Sequence, residues 1–290
     1  MSNGSLRVQK IGIRRRVVNG LVTYSALGAA ILVIVPLVAI FGYLLMKELG
    51  SINWAFLTQI PKPVGEKGGG MGNAIVGSGI NLLIASLFGI PLGIGAGIYL
   101  AEYGRNKFGN LVRFTSDVLN GVPSIVIGIF AYGIVVLPVK RFSALAGGVA
   151  LGLLMIPIVV RTTEELLRLV PPGLREGALA LGATRTRAVF TVIVPSALPG
   201  IMTGVLVATA RVAGETAPLL FTSFNNHFWS TSLMQPIASL TVQVFTYAIS
   251  PYEDWHRQAW AGAFLLVMII LALSIVARLA IRGLERMNRP

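Results

Sequence analysis

The 290 residues are 54% hydrophobic and 12% charged, with a formal net charge of +13 and no cysteine. A mean hydropathy of +0.77, and a charged fraction well under the roughly 25% of soluble domains, exclude an ordinary soluble globule and define an integral membrane protein. The lack of cysteine removes disulfides and thiolate chemistry from consideration.

A helix needs roughly 20 residues to cross a hydrocarbon core, and the apolar runs of this chain predict an all-α, polytopic protein with about six spans. Residues 1–20 form a basic segment with Arg7, Lys10, Arg14, Arg15 and Arg16 and no acid, as expected of a cytoplasmic anchor. The first apolar run, 21–46, exceeds the roughly 7 to 15 residues of a signal-peptide core, and no small-x-small cleavage site follows it, so it reads as span 1. A loop at 47–72 carries Trp54, Pro61, Pro63 and the run Gly68, Gly69, Gly70. Span 2, 73–100, places Gly89, Gly93 and Gly97 four apart on one helical face. Such a ridge admits a close helical neighbour, though glycine is also simply common in membrane helices.

A short charged turn is expected at 102–117, with Arg105, Lys107 and Arg113. Span 3, 118–138, opens on Asn120-Gly121-Val122-Pro123-Ser124, a polar and helix-disturbing patch that lipid tolerates poorly, so it should face protein or a pathway. After a turn at Lys140 and Arg141 comes span 4, 143–160, then a long polar loop, 161–195, and span 5, 197–222. The next loop, 223–258, holds Phe228, Trp229, Tyr247, Tyr252 and Trp255, whose amphipathic rings suit a membrane interface. Span 6, 259–277, ends in a basic tail, 278–290, with Arg278, Arg282, Arg286 and Arg289. The chain thus reads as a basic leader, a membrane domain at 21–277 and a tail.

Lysine and arginine are retained on the cytoplasmic side of membrane proteins. With both termini inside, seventeen of the 24 lie in inside segments, six in outside loops, and Arg211 falls within a span. This asymmetry explains the basic charge without nucleic acid as a partner. No G-x-x-x-x-G-K-[ST] loop is present, so the chain is not expected to hydrolyse ATP itself. His227 and His256 are its only histidines, without an accompanying ligand cluster, and G-x-S-x-G is absent. Metal binding and hydrolase chemistry therefore lack support, no cofactor is expected, and an enzyme is a poor reading.

Span 5 carries the unusual feature. A lone charge at mid-bilayer costs roughly 2.5 to 3.5 kcal/mol on insertion scales, so neither Arg211 nor Glu215 should face lipid. Four residues apart, they share a helical face and can interact directly. One reading is a self-neutralising structural salt bridge, yet desolvation offsets most of the attraction in such pairs. The other is a transport site. There, guanidinium favours a bidentate oxyanion, while a carboxylate accepts a hydrogen bond from an anion that carries a proton, as phosphate does near pH 7 and sulfate does not.

Glu176-Gly177-Ala178, then Gly182, then Val192-Ile193-Val194-Pro195 resembles the EAA loop of ABC importer permeases, E-A-A-x-x-x-G-x9-I-x-L-P. Gly177 replaces an alanine, and Val192 and Val194 replace isoleucine and leucine. The resemblance implies the type I ABC importer permease fold, and a coupling helix with Glu176, Gly177, Ala178, Gly182, Ala183 and Thr184 that docks on a cytoplasmic ATPase. Gly177 should loosen that helix, since glycine costs up to about 1 kcal/mol against alanine.

Two further segments, the run from Asn120 to Phe130 and Arg211-Val212-Ala213-Gly214-Glu215-Thr216-Ala217-Pro218, are similar to the permease subunits of the bacterial phosphate importer. Phe228-Trp229-Ser230-Thr231, Gln235-Pro236-Ile237 and Ser250-Pro251-Tyr252 with Trp255 resemble its PstA branch rather than its PstC branch. This likeness, from span 2 to span 6, implies import of inorganic phosphate across the bacterial inner membrane. It places Arg211, Glu215, Thr216, Asn120 and Ser124 along the pathway. It also implies a PstC-like permease subunit, a PstB-like ATPase dimer and a PstS-like phosphate-binding protein as partners, with membrane lipid around the whole. Rival readings are a permease for another oxyanion such as sulfate or molybdate, and a secondary transporter or channel that needs no ATPase.

Overall fold

The computed structural model describes residues 13–48, 52–66 and 68–287, all helix and connecting segments with no strand among them. Arg7, Lys10 and Arg289 of the sequence reading lie outside the described residues. The chain divides into two units, Met1–Leu49 and Gly50–Pro290. The first is the single helix α1, Ile13–Glu48, with Pro36 inside it. At 1.5 Å per residue it is longer than the roughly 30 Å hydrocarbon core, and it takes in Arg14, Arg15 and Arg16 at its start.

The second unit opens with a short helix, α2 (Trp54–Thr58), capped by the Asn53 side chain, and then α3 (Gly72–Glu102). The next helix, α4 (Lys107–Gly121), replaces most of the expected charged turn. Asn106 starts it by accepting the Gly109 N–H through its side chain at 2.7 Å, a cap that a charge count does not register. A run from Ser124 to Val139 follows, made of α5 (Ser124–Ala131), a π-helical turn (Tyr132–Val136) and α6 (Leu137–Val139). Next come α7 (Ala144–Arg168), α8 (Pro172–Ala180), α9 (Arg185–Ala188), a second π-helical turn (Val189–Ile193) and α10 (Val194–Ala213). The unit closes with α11 (Ala217–Leu220), α12 (Leu240–Ala248) and α13 (Glu253–Met287).

Among the described residues, five helices are long and apolar enough to cross a membrane, and the bent pair of α4 with Ser124–Val139 makes a sixth if counted as one span. Several expected boundaries move. The polar loop at 161–195 is mostly helical: α7 runs on to Arg168, and the segment Arg185–Ala213 is one long span. The expected tail beyond 277 continues α13 as far as Met287.

The centre of the second unit is α7, and the way it meets α3 follows from glycine. A Cβ on Gly93 would stand 2.6 Å from that of Val159, and one on Gly97 would stand 2.5 Å from that of Thr163, while Gly89 lies against Gly152 and Met155. Gly148 and Gly152 of α7 return the favour to Ile84 and Phe88 of α3. Small residues on both sides let the backbones approach, and van der Waals contact then supplies the attraction that a hydrophobic effect cannot supply inside lipid. Around this pair a core of Leu151, Met155, Val159, Ile193, Ile201 and Val205 joins α7 to α10.

A second core gathers Phe56, Met71, Leu240 and Tyr247. Tyr247, wholly buried, stacks on the partly buried Trp255 with centroids 4.5 Å apart. Burial pushes the Tyr247 hydroxyl up to about 12. Phe228 and Trp229 are exposed.

Candidate functional site

The break between α4 and α5 is written in four residues. Gly121 ends α4, Pro123 cannot continue it, and Val122 takes the extended backbone that a following proline requires, φ −73° and ψ 134°. The chain turns by 109° there. The Ser124 and Ile125 N–H groups at the start of α5 have no intrahelical acceptor, whereas that of Val126 reaches the Pro123 carbonyl at 2.9 Å; this end carries the positive pole of the helix dipole. Such a terminus is a natural seat for an anion. Gly128, one turn on, lies so close to Pro218 that a Cβ would meet its Cα at 2.6 Å, which locks α5 against α11.

A second chain end arrives opposite. Gly214 ends α10 with its N–H on the Arg211 carbonyl at 3.3 Å, and Pro218 lies in the first turn of α11. Arg211 is therefore in the last turn of α10, whereas Glu215 is beyond it, held by an N–H bond to the Val212 carbonyl at 3.1 Å. The Thr241 hydroxyl donates to the Glu215 carbonyl at 3.0 Å and fixes this short stretch.

Arg211, Glu215, Asn120 and Ser124 line one cleft of about 270 Å³, closed on the α7 side by Leu154 and Ile158. These two residues lie near the middle of α7, so the cleft sits partway along the bundle. Thr216 is not part of its lining. Its carbonyl instead caps α11 by accepting the Leu219 and Leu220 N–H groups at 3.1 and 3.3 Å. The direct interaction that their spacing allows is not formed: no ion pair joins Arg211 and Glu215 among the described residues. The spacing of four assumes a continuous helix, and the helix ends between them. Both side chains are thus open to a third partner in the cleft, and the arrangement can offer donors and an acceptor to a small oxyanion.

The residues singled out by the EAA resemblance form a helix–turn–helix. Glu176, Gly177 and Ala178 lie on α8, none of whose residues is buried. Gly182 follows with φ +83°, its N–H bonded to the Leu179 carbonyl at 2.9 Å, while the Ala183 N–H reaches Ala178 at 3.1 Å. This pair of bonds ends a helix on a left-handed residue, which explains glycine at that position. Thr184 then starts α9 by accepting the Arg187 N–H on its hydroxyl at 3.3 Å. Leu174, Leu179 and Leu181 stand exposed around the turn.

Sequence reasoning missed two buried carboxylates at this end of the bundle. Glu164 of α7, 1% exposed, is paired with Arg113 of α4 at 2.6 Å, with Arg168 at 2.6 Å and with Arg161 at 3.5 Å. Glu102, the last residue of α3 and 4% exposed, pairs with Arg175 of α8. Charges near the ends of apolar runs read as solvated loop residues in a sequence, and only the arginines i+4 and i−3 from Glu164 hinted otherwise.

A bundle of this kind, with a polar cleft at a broken span and an exposed helix–turn–helix, is the transmembrane subunit of an ABC importer. The match to a family model covers residues 89–289 and is described as "Binding-protein-dependent transport system inner membrane component". The chain is similar to the phosphate transport system permease protein PstA of Yersinia pestis, 50% identical over 233 residues, covering 80% of this chain and 79% of that one. It is also similar to PstA of Xylella fastidiosa strain 9a5c, 44% identical over 280 residues and 96% of each chain. Among solved structures, a bacterial ABC transporter involved in import of the acidic polysaccharide alginate shares the fold, with TM-score 0.62 at 10% identity over 95% of this chain and 97% of that one. The MetNI methionine ABC transporter in an inward-facing conformation gives TM-score 0.56 at 18% identity, over 74% of this chain and 94% of that one. The chain belongs to the PstA family of phosphate transport system permeases. Its class is a non-catalytic, multi-pass membrane component that works with an ATPase and a solute-binding protein.

Proposed function

We propose that the chain is half of the membrane pathway of an ATP-driven importer for inorganic phosphate, completed by a PstC-like permease, a PstB-like ATPase dimer and a PstS-like phosphate-binding protein. The setting is the bacterial inner membrane. Both termini and α8 are cytoplasmic, in keeping with the concentration of arginine on those segments. The observation that carries the reading is the cleft: in a member of this family, Arg211, Glu215, Asn120, Ser124 and the start of α5 converge on one space.

Arg211 supplies fixed positive charge and a planar donor pair for phosphate oxygens. The start of α5 adds N–H donors whose partial charge does not depend on protonation. Glu215 accepts the hydrogen of a protonated phosphate oxygen and disfavours an oxyanion with none. Closure of the ATPase pair displaces α8 and the turn at Gly182. The segment 185–213 is continuous helix, so that displacement is conveyed towards Arg211 and alternately exposes the cleft to either side.

The test is radiolabelled phosphate uptake by the four-component complex in proteoliposomes. Arg211→Ala should assemble, keep ATP hydrolysis and lose uptake by at least tenfold. Unimpaired uptake would remove the cleft from the pathway, and uptake of sulfate or molybdate in preference to phosphate by the unsubstituted complex would transfer the reading to another oxyanion.

A further inference from the structure

Although α8 has no buried residue of its own, one buried carboxylate from another helix holds it. Glu102 ends α3, and its side chain is 4% exposed. Its carboxylate accepts from Nη2 of Arg175 on α8, and its main-chain carbonyl accepts from Nη2 of Arg185 on α9. Arg175 also donates to the Leu167 carbonyl of α7 at 3.2 Å. Arg185 lies over the ring of Tyr103, 4.8 Å from its centroid. A single residue therefore clasps both arms of the helix–turn–helix.

The same helix α3 is seated on α7 along Gly89, Gly93 and Gly97 with almost no free space, so the two helices shift together or not at all. α7 in turn supplies Leu154 and Ile158 to the wall of the cleft. We propose that Glu102 is a positioning residue for transport: it shares the displacement of α8 and α9 with the α3–α7 pair, so that both walls of the cleft respond rather than α10 alone. This rests on the reading of α8 as the element the ATPase grips. A merely solvated acid at a helix end would be exposed and would leave Arg175 without its carboxylate partner, and neither is observed.

The chain has no cysteine, which permits a direct test in the full transporter complex. Glu102→Gln keeps the shape but removes the charge, and should leave assembly and ATP hydrolysis in place while the phosphate moved per ATP hydrolysed falls at least tenfold. In Glu102→Cys/Arg175→Cys the ratio should fall likewise and recover at least fivefold when a short bis-methanethiosulfonate bridges the two thiols, a rescue that a purely structural role does not predict. An unchanged ratio in Glu102→Gln, or a bridge without effect on the double variant, overturns the proposal.

A third measurement separates this proposal from the phosphate reading. Gly121 lines the cleft and has no atom within 4 Å of where a Cβ would stand, so Gly121→Cys reports on access to a thiol reagent whatever the solute. ATP binding should change its labelling rate with Glu102 intact, and by markedly less with Glu102→Gln, where α10 alone responds. Equal responses refute the clasp, whereas a normal response without phosphate uptake refutes the substrate assignment alone.

Discussion

Replacing Glu215 by glutamine isolates the element of the cleft that distinguishes one oxyanion from another. The carboxylate lines the cleft and is not tied up by Arg211, so a bound anion meets it directly. Phosphate and sulfate carry similar charge near neutrality, and both gain equally when the negative charge is removed. Phosphate exchanges a hydrogen bond to an ionised acceptor, worth about 1.5 to 3 kcal/mol, for one to a neutral amide oxygen, worth about 0.5 to 1.5 kcal/mol. Glu215 is half-buried, so partial solvent screening holds the difference to about 1 kcal/mol, and the preference for phosphate over sulfate should fall roughly fivefold. The assay is displacement of radiolabelled phosphate by sulfate from the purified permease–ATPase complex, without the binding protein, which would impose its own selection. A preference unchanged in Glu215→Gln would refute the role of this carboxylate as proton-reading acceptor.

Two further substitutions probe the frame around the cleft. Gly93→Ala places a methyl 2.6 Å from the Val159 Cβ; the overpacking should cost about 1 to 3 kcal/mol and lower the thermal transition of the purified complex, with Gly95→Ala, where no atom lies within 4 Å, as the silent comparison. At Gly182, with φ +83°, alanine should cost about 1 to 2 kcal/mol and asparagine less. ATP-coupled uptake should therefore rank glycine, then asparagine, then alanine, and equal coupling in all three would contradict the left-handed turn.

Much of this architecture is legible in the residues themselves. The six apolar runs announce the spans, Asn120 to Ser124 announces the break, and the glycines of α3 announce the contact that α7 completes. The end of α10 at Gly214 is not legible in the Arg211–Glu215 spacing, because a periodicity argument presumes the helix it is applied to. The clasp at Glu102 was not legible. Its partners lie 73 and 83 residues away, and nothing local distinguishes a buried acid at a helix end from a hydrated one. The coupling helix that the EAA resemblance implies is present as α8, begun by a proline, ended before Gly182 and tied to α3 by the Arg175–Glu102 pair, which no local signal announces.

The 109° turn at Val122 and Pro123 leaves a helical rod of sixteen residues, Ser124–Val139, about 24 Å long and too short for a whole hydrocarbon layer. One of its poles must therefore sit at depth. A peptide dipole has no proton to lose and no rotamer to change, so the electrical attraction it creates is the same in acid and alkali and in every posture of the side chains nearby. On the proposed reading of the cleft, the backbone supplies a standing bias toward anions, and the side chains are left to choose among them.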